Sequence, residues 1–280
     1  MEEKCSTCPR RCNINREKSL GFCNEHKKIK IAKIIKNFMW EEPCLTADKG
    51  ALAIFFSGCN LRCDYCQNYQ ISRGGVGEEY SIEEFVKLIE ENQDSHSCID
   101  LITPTHFSNE LGEAFKHIHK KVPVVWNTNG YETTENVDKV GSFVDIFLTD
   151  FKYSSNTTAK KYSKCDNYVE ICLESTKKMC AQKPDIFENK QMKQGTIIRH
   201  LVLPGEIENS IGVLDIIKRE FCDRKISLMS QFTPNGKSPL NRKLTPIEYK
   251  MVLKHLEKLG LKNGYIQEFS SADSCFVPKF

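Results

Sequence analysis

The chain has 280 residues, 40% of them hydrophobic, and its 40 Lys and Arg nearly balance its 37 Asp and Glu, which leaves a formal net charge of +3. A chain of this length can bury one substantial core, while so balanced a charge gives no electrostatic case for a nucleic-acid partner. Residues 1–5 lack the apolar segment of a secretion signal and no apolar run is long enough to span a bilayer, so we expect a cytoplasmic protein without membrane or nucleic-acid partners.

The first 48 residues form a predicted cysteine-rich and turn-rich extension, which is followed by a core domain over residues 49–280. Four cysteines within nineteen residues follow the spacing C-x2-C-x3-C-x10-C, namely Cys5, Cys8, Cys12 and Cys23. Because the cytoplasm keeps thiols reduced, the 14 cysteines of the chain favour metal ligation over disulfides. Four thiolates suit either an iron–sulfur cluster or a zinc ion. Unligated thiols or a disulfide pair are the alternatives, and His26 and Cys44 are substitute ligands.

The next predicted element is an apolar strand over residues 51–56, followed at once by a cysteine loop, residues 57–68, with the spacing C-x3-C-x2-C. The three cysteines are Cys59, Cys63 and Cys66. An iron–sulfur cube normally takes one cysteine for each iron, so this loop would leave one iron open to a ligand from outside the protein. A zinc or disulfide cluster is the alternative, but zinc sites usually close with four ligands and no fourth ligand is nearby in the sequence.

Short apolar runs then alternate with longer amphipathic ones. Further strands are predicted over residues 98–103, 122–127, 144–150, 196–203, 226–231 and 264–269. Helices are predicted to begin at capping boxes at residues 81–84 and 245–248 and to cover residues 109–120, 134–141, 162–181 and 209–221, with a surface loop over residues 183–194. This alternation predicts an α/β fold, a partial (β/α)6-type parallel barrel with a small N-terminal cysteine-rich extension.

In such folds the chemistry collects at the carboxyl ends of the strands. Polar side chains mark the ends of successive predicted strands there: Thr103, Thr105 and His106 at the second, Asn127, Thr128 and Asn129 at the third, and Asp150 and Lys152 at the fourth, while the fifth ends at Pro204-Gly205. We therefore predict a site at this edge of the sheet. The simpler interpretations are a surface salt bridge between Asp150 and Lys152, turn formation by the Asn-Gly segment, and a structural role for His106.

The cysteine loop after a strand resembles the cluster loop of the radical S-adenosylmethionine (SAM) enzymes. The resemblance implies a [4Fe-4S] cluster on Cys59, Cys63 and Cys66, whose open iron holds SAM, and reductive cleavage of SAM to methionine and a 5′-deoxyadenosyl radical that takes a hydrogen atom from the substrate. Tyr65 matches the aromatic position that packs near the adenine in that family. The implied protein is an oxidoreductase, and an exposed reducible cluster suggests an oxygen-poor setting.

Three further segments, residues 126–131, 150–152 and 199–205, resemble the pyruvate formate-lyase-activating enzymes and an uncharacterised class of relatives in that branch. The resemblance implies that Asn127, Thr128 and Asp150 surround SAM and a nearby monovalent cation, and that Lys152 meets the SAM carboxylate as a point charge. Asn129 and Arg199 belong to the same segments and are expected to contribute to cofactor binding.

Two segments depart from the pattern of that branch. Residues 102–107 lack the gly-gly-glu segment that holds the SAM amino group in many family members, so we expect Thr103, Thr105 or His106 to make that contact. Residues 230–234 lack a histidine that activases place close to SAM.

The implied partners are a protein or peptide substrate, with a glycyl residue of a partner enzyme as a candidate target, and a reduced flavodoxin or ferredoxin-type electron donor. The alternatives are a radical SAM enzyme that acts on a small molecule and a non-catalytic iron–sulfur electron-transfer protein. For the N-terminal cysteines we favour a second iron–sulfur cluster over zinc, because such a protein already depends on the machinery that assembles iron–sulfur clusters.

Overall fold

The structure is a computed structural model and describes residues 4–269. Its strands are β1 (Ile29–Phe38), β2 (Ala51–Phe56), β3 (Glu78–Tyr80), β4 (Cys98–Ile102), β5 (Val124–Thr128), β6 (Ile146–Asp150), β7 (Ile186–Glu188), β8 (Gln191–Leu201), β9 (Lys225–Met229) and β10 (Gly264–Ile266). They form one large sheet in the order β10-β9-β8-β6-β5-β4-β2-β1-β3, with β7 paired to β8 beside it.

The central part of this sheet is parallel. Six successive parallel pairings join β2, β4, β5, β6, β8, β9 and β10. Strands β1 and β3 extend the β2 edge with antiparallel pairings. The sheet is open, so the predicted α/β fold with a partial parallel barrel is confirmed.

Most helices connect parallel strands. The helices are α1 (Pro43–Thr46), α2 (Tyr69–Ser72), α3 (Ile82–Asn92), α4 (Ser108–Phe115), α5 (Thr134–Val140), α6 (Asn156–Ser163), α7 (Tyr168–Gln182), α8 (Ile207–Glu220) and α9 (Pro246–Lys258). Helix α1 lies between the antiparallel strands β1 and β2. Both predicted capping boxes are confirmed, because Ser81 with Glu84 and Thr245 with Glu248 make the two reciprocal bonds at the starts of α3 and α9. None of the helices in residues 4–269 is long and apolar enough to cross a membrane.

Strand β1 lies where the sequence predicts a turn-rich segment, and that prediction is wrong for residues 29–38. Lysines alternate with isoleucines in the first half of the strand, and the side chains of Ile29 and Ile31 are buried. The strand pairs with β2 in a register that places Ile34 opposite Ile54. It therefore belongs to the main sheet, while the domain boundary at residue 48 remains a prediction.

Two connections also differ from the prediction. The helical region expected over residues 162–181 is divided into α6 and α7, because Lys164 adopts a left-handed backbone with φ of 54° and ends α6. The surface loop expected over residues 183–194 contains a hairpin of β7 and β8. Asn189 and Lys190 both have positive φ at its tip, as a tight two-residue hairpin turn requires.

Apolar side chains pack on both faces of the sheet. One face is covered by helices, and the other is covered at one end by α1 and the end of β1, where Leu45 and Phe38 join a cluster with Leu148 and Ile197. Because side chains alternate along a strand, the polar residues two positions beyond Leu148 and Ile197 point to this same side. Those residues are Asp150 and Arg199, and they lie beyond the apolar layer, towards the carboxyl ends of the strands.

Candidate functional site

A cavity of about 430 Å³ lies at the carboxyl ends of the parallel strands. Its size falls within the range typical of cofactor and small-molecule sites, roughly 300–1,000 Å³. The predicted site residues that line it are Cys63, Tyr65, Cys66, Asn127, Asp150, Lys152 and Arg199. The structure therefore brings these seven residues, from four parts of the chain, to one cavity.

The three cysteines of the cysteine loop are free thiols. The backbone N–H of Leu61 donates to the Cys59 sulfur at 3.4 Å, and the Ser163 hydroxyl lies 2.9 Å from the Cys63 sulfur. Burial raises the pKa of Cys59 to about 12 and that of Cys63 to about 11. Metal binding requires the thiolate form, so a metal centre at this loop would displace these protons.

The donor set of the loop fits a [4Fe-4S] cluster, because soft thiolates are the ligands that iron–sulfur clusters take, one for each iron. Cys63 and Cys66 face the cavity, so a fourth iron could be open to a ligand in that space. Among residues 4–269, no three His, Cys, Asp or Glu side chains are arranged around a single metal ion.

Asn129 joins the cysteine loop to the end of β5. Its Nδ2 donates to the Asn60 Oδ1 at 2.7 Å and lies 3.4 Å from the Cys59 sulfur. Asn60 in turn donates to the carbonyl of Tyr131 at 2.7 Å. Gly130 has φ of 80°, and a Cβ there would lie 2.3 Å from the Asp150 carbonyl oxygen. The Asn-Gly segment is therefore a tight turn that also contacts a cluster-loop cysteine.

Replacing Asn129 with leucine is expected to lower the reduction potential of a cluster bound at this loop. Hydrogen bonds to cluster sulfurs raise the potential, and a net hydrogen bond of about 0.5–1.5 kcal/mol corresponds to about 20–60 mV for one electron. The measurement is a redox titration of the reconstituted protein followed by EPR. Asn263→Leu, at an exposed site, is the matched control, and equal potentials for the two variants would contradict the expectation.

A buried group of charges forms one wall of the cavity. The Arg199 guanidinium donates to Asp150 at 3.0 Å, to Glu41 at 2.8 Å and to the Asn127 side-chain oxygen at 2.5 Å. Lys152 donates to the second oxygen of Asp150 at 2.5 Å. The Asp150 and Lys152 side chains are only 16% and 19% exposed, so the interpretation as a surface salt bridge is wrong.

The sequence prediction did not include two carboxylates of this group, Glu41 and Asp100. The Asn127 side-chain N–H groups donate to both of them at 3.3 Å. Burial, opposed by Arg199, raises the pKa of Glu41 to about 7. Burial together with the neighbouring Glu41 raises the pKa of Asp100 well above its ordinary range.

Glu41 is expected to make folding stability depend on pH. Its pKa is about 7 in the folded protein against an ordinary value of 4.5, so its contribution is fully present below pH 4.5 and is lost as the pH rises through 7. Relative to Glu41→Gln, the unfolding free energy of the wild type should fall by about 1 kcal/mol or more from pH 5 to pH 8. Urea unfolding at each pH measures this difference. Parallel profiles for the two proteins would contradict it.

Like Cys59 and Asn129, four other predicted residues at the strand ends do not line this cavity in the described structure. They are Thr103, Thr105, His106 and Thr128. Thr105 and Thr128 both donate to one carboxylate oxygen of Glu132 at 2.7 Å, and the residue at the end of β4, Thr103, has φ of 60°. Glu132 also accepts from Trp126 at 3.1 Å and was missed by the sequence prediction. The roles of the four as cofactor contacts remain predictions.

His106 packs against the start of the cysteine loop. Its Nε2 is 2.6 Å from the Ser57 carbonyl oxygen, and the Arg16 guanidinium donates to the His106 carbonyl. Burial, with the nearby Arg16 charge, lowers the pKa of the imidazole to about 3. A neutral, buried imidazole that holds the backbone before Cys59 fits the structural interpretation.

Tyr65 is connected to Cys63 by a chain of buried hydroxyl groups. The Tyr65 hydroxyl lies 2.9 Å from that of Tyr153, which contacts the Ser163 hydroxyl beside the Cys63 sulfur. The Tyr65 ring also packs near Phe232, with ring centroids 6.3 Å apart. Tyr153 and Ser163 carry no sequence motif that would have pointed to this contact.

The four N-terminal cysteines lie outside the cavity. The segment that contains them packs against the cysteine loop at two places. Arg10 donates to the Asn60 carbonyl at 2.9 Å, and Arg62 of the loop donates to the Phe22 carbonyl at 2.5 Å.

The family model described as the Radical SAM superfamily matches residues 53–214. The chain is 29% identical over 275 residues to the uncharacterized protein MJ0674 of Methanocaldococcus jannaschii. The alignment covers 92% of this chain and 76% of that protein.

Two solved structures have a similar fold. One is Streptococcus suis SuiB bound to the precursor peptide SuiA, with a TM-score of 0.54 and 10% identity over 76% of this chain and 48% of that one. The other is native anSMEcpe with bound AdoMet, with a TM-score of 0.50 and 17% identity over 75% of this chain and 61% of that one. The chain thus matches about half the length of SuiB.

Proposed function

The chain belongs to the Radical SAM superfamily, and from that premise we propose that it binds a [4Fe-4S] cluster and SAM and abstracts hydrogen from a protein or peptide substrate. The observation that carries this proposal is the cavity itself. Two of the three loop cysteines line it, and so do Lys152 and Arg199, whose side chains are only 19% and 12% exposed.

When bound, the cluster and SAM would supply radical chemistry, in which one electron from a donor cleaves SAM to methionine and a 5′-deoxyadenosyl radical, and that radical takes a hydrogen atom from the substrate to give 5′-deoxyadenosine. Cys59, Cys63 and Cys66 would supply three thiolates and leave one iron open. Asn129 would hold Cys59 in place through its N–H groups. In this proposal the electron donor is a reduced flavodoxin or ferredoxin-type protein.

The cavity wall would orient SAM through charge. Lys152 is a compact cation on a flexible stem, suited to a carboxylate, and its attraction to Asp150 raises its pKa against the effect of burial. Arg199 is held by two carboxylates and by Asn127, so it fixes the wall more than it offers a free donor. Tyr65 would pack near the adenine.

Support for the activating-enzyme branch comes from the order of three segments. The segments at residues 126–131, 150–152 and 199–205 end or contain β5, β6 and β8, which are neighbours in the sheet, and residues from each line the cavity. A glycyl residue of a partner enzyme is the proposed target. SuiB, whose fold is similar, was solved with a peptide, which is consistent with a peptide substrate.

One observation favours a small-molecule substrate as the second candidate. The cavity has an apolar end lined by Phe38, Trp40 and Tyr265, next to the buried side chain of Glu42. Glu42 is 6% exposed, and one of its carboxylate oxygens has no hydrogen-bond partner among the described residues. A buried acceptor of this kind would suit a small ligand with a hydrogen-bond donor.

The test is release of 5′-deoxyadenosine from anaerobically reconstituted, chemically reduced protein, with peptides spanning glycyl-radical sites or with a small-molecule extract as substrate. Lys152→Met should weaken SAM binding about tenfold or more, because one charged hydrogen bond is lost. The matched control is Lys160→Met, whose side chain is 71% exposed. No 5′-deoxyadenosine under any condition, or equal SAM affinity for the two variants, would count against the proposal.

A further inference from the structure

The first described segment of the chain, residues 4–28, has no hydrophobic core of its own. It contains no helix or strand. Within it, the hydrophobic side chains that are buried are those of Cys8 and Cys23, which are 7% and 6% exposed. A segment this short and irregular usually needs a disulfide or a metal to hold its shape.

Backbone hydrogen bonds fold this segment into compact turns that bring three of its cysteines together. The Cys5 N–H donates to the Ile14 carbonyl at 2.8 Å, and the Asn13 N–H donates back to the Cys5 carbonyl at 2.9 Å. The Arg11 N–H donates to the Cys8 carbonyl at 3.0 Å. Cys5, Cys8 and Cys12 therefore lie on one tight double turn.

Cys23 approaches this turn from the other side. A Cβ placed on Gly21 would lie 3.2 Å from the Cys23 sulfur and 3.9 Å from the Cys12 sulfur. The Phe22 N–H also lies 3.3 Å from the Cys12 sulfur. The absence of a side chain at Gly21 thus leaves room for two thiols, and all four cysteines are free.

Positive charge surrounds the four thiols. Arg16 lies close to Cys23, because its Nε donates to the Glu25 carbonyl at 3.4 Å and the Cys23 sulfur lies 4.0 Å from the same carbonyl oxygen. Arg10, between Cys8 and Cys12 in the chain, stacks its guanidinium 3.9 Å from the centre of the Phe22 ring and has one buried N–H₂ group without a partner among the described residues. Four thiolates around a metal carry excess negative charge, which such arginines would balance.

We propose that Cys5, Cys8, Cys12 and Cys23 bind a second metal centre through four thiolates, either an iron–sulfur cluster or a zinc ion. No three of these described side chains are arranged around a single ion, so binding would draw the sulfurs together. The centre braces the cysteine loop, because Arg10 and Arg62 hydrogen-bond across the boundary between the two segments at Asn60 and Phe22.

The test isolates this centre from the SAM site. In the triple variant Cys59→Ala, Cys63→Ala, Cys66→Ala, the metal that remains after anaerobic purification belongs to the N-terminal cysteines. Inductively coupled plasma mass spectrometry should find about four irons, or about one zinc, per chain. Iron identifies a cluster and zinc a single ion, and either supports the proposal. Less than about 0.2 metal per chain would overturn it.

A fourth substitution, Cys12→Ser, should remove this metal from the triple variant. Cys12 is only half-buried, so the substitution should lower the folding stability little. The matched control is Cys180→Ser, at a buried free cysteine of α7. Circular dichroism confirms that each variant is folded, and X-ray absorption counts the sulfur ligands of the metal in the triple variant, where the SAM-site cluster is absent. Metal retained after Cys12→Ser, or fewer than three sulfur ligands on the metal of the triple variant, would overturn the proposal without bearing on the SAM site.

Discussion

Replacing Cys63 with alanine is expected to abolish 5′-deoxyadenosine formation and to remove about four irons per chain. A cluster held by three thiolates loses a third of its protein ligands, and a second open iron exposes it to solvent and oxygen. Cys63 also has the closest fixed contact of the three, with the Ser163 hydroxyl at 2.9 Å. The measurements are iron content and product release after anaerobic reconstitution.

The control for this prediction is Cys180→Ala, which removes a buried thiol of similar size far along the chain. It should retain both iron and activity, apart from a modest loss of stability. Product formation by Cys63→Ala at more than a few per cent of the wild-type rate would mean that the cysteine loop does not hold the reacting cluster.

The sequence was sufficient to predict the structure where the residues that matter lie in one short segment. The strand before the cysteine loop is apolar at all six positions and is buried at all six, so its type and position follow from local composition. The three cysteines come directly after it, and the side on which they lie follows from the rule that places active sites at strand carboxyl ends. The same rule placed Asn127 and Asp150 at the edge where both line one cavity. Arg199, 72 residues beyond Asn127, was added by the resemblance of residues 199–205 and lines the same cavity.

The sequence was insufficient where the position of a residue depends on contacts with distant parts of the chain. Glu41 lies in a short connection between β1 and α1 and meets Arg199 across 158 residues of chain. Nothing in the local pattern of residues 39–42 indicates that this connection enters the open face of the sheet. Strand β1 was missed for a related reason, because its lysines are typical of a solvated stretch, while Ile29 and Ile31 are buried in an apolar cluster that includes distant residues of α3.

Thr105 and Thr128 show a third limit of prediction from the sequence. Thr105 and Thr128 are polar residues at strand ends, which the general rule assigns to the site, yet both hydroxyls are bonded to Glu132 on the inner side of the turn. Chain position predicts which edge of the sheet a residue reaches. The direction of its side chain depends on partners such as Glu132 that only the folded structure identifies.

Arg199→Ala is expected to destabilise the fold by about 3–5 kcal/mol, because it leaves buried carboxylates without their cation. Glu41 loses its guanidinium partner at 2.8 Å, and Asp150 keeps only Lys152. The surface pair of Arg219 with Glu220 is the matched control, since Arg219 is 64% exposed and Arg219→Ala should cost less than about 1 kcal/mol. Urea unfolding under anaerobic conditions measures both.

The size of the Arg199 effect should itself depend on pH and on Glu41. Burial already raises the pKa of Glu41, and removal of the guanidinium would raise it further, so protonation at pH 5.5 should relieve the unpaired charge and make the loss smaller than at pH 8. For the same reason, Glu41→Gln should recover part of the stability of Arg199→Ala, a coupling that a double-mutant cycle measures directly. Additive losses at both pH values would show that Arg199 and Glu41 act separately, and the cavity wall would then be held by packing rather than by their ion pair.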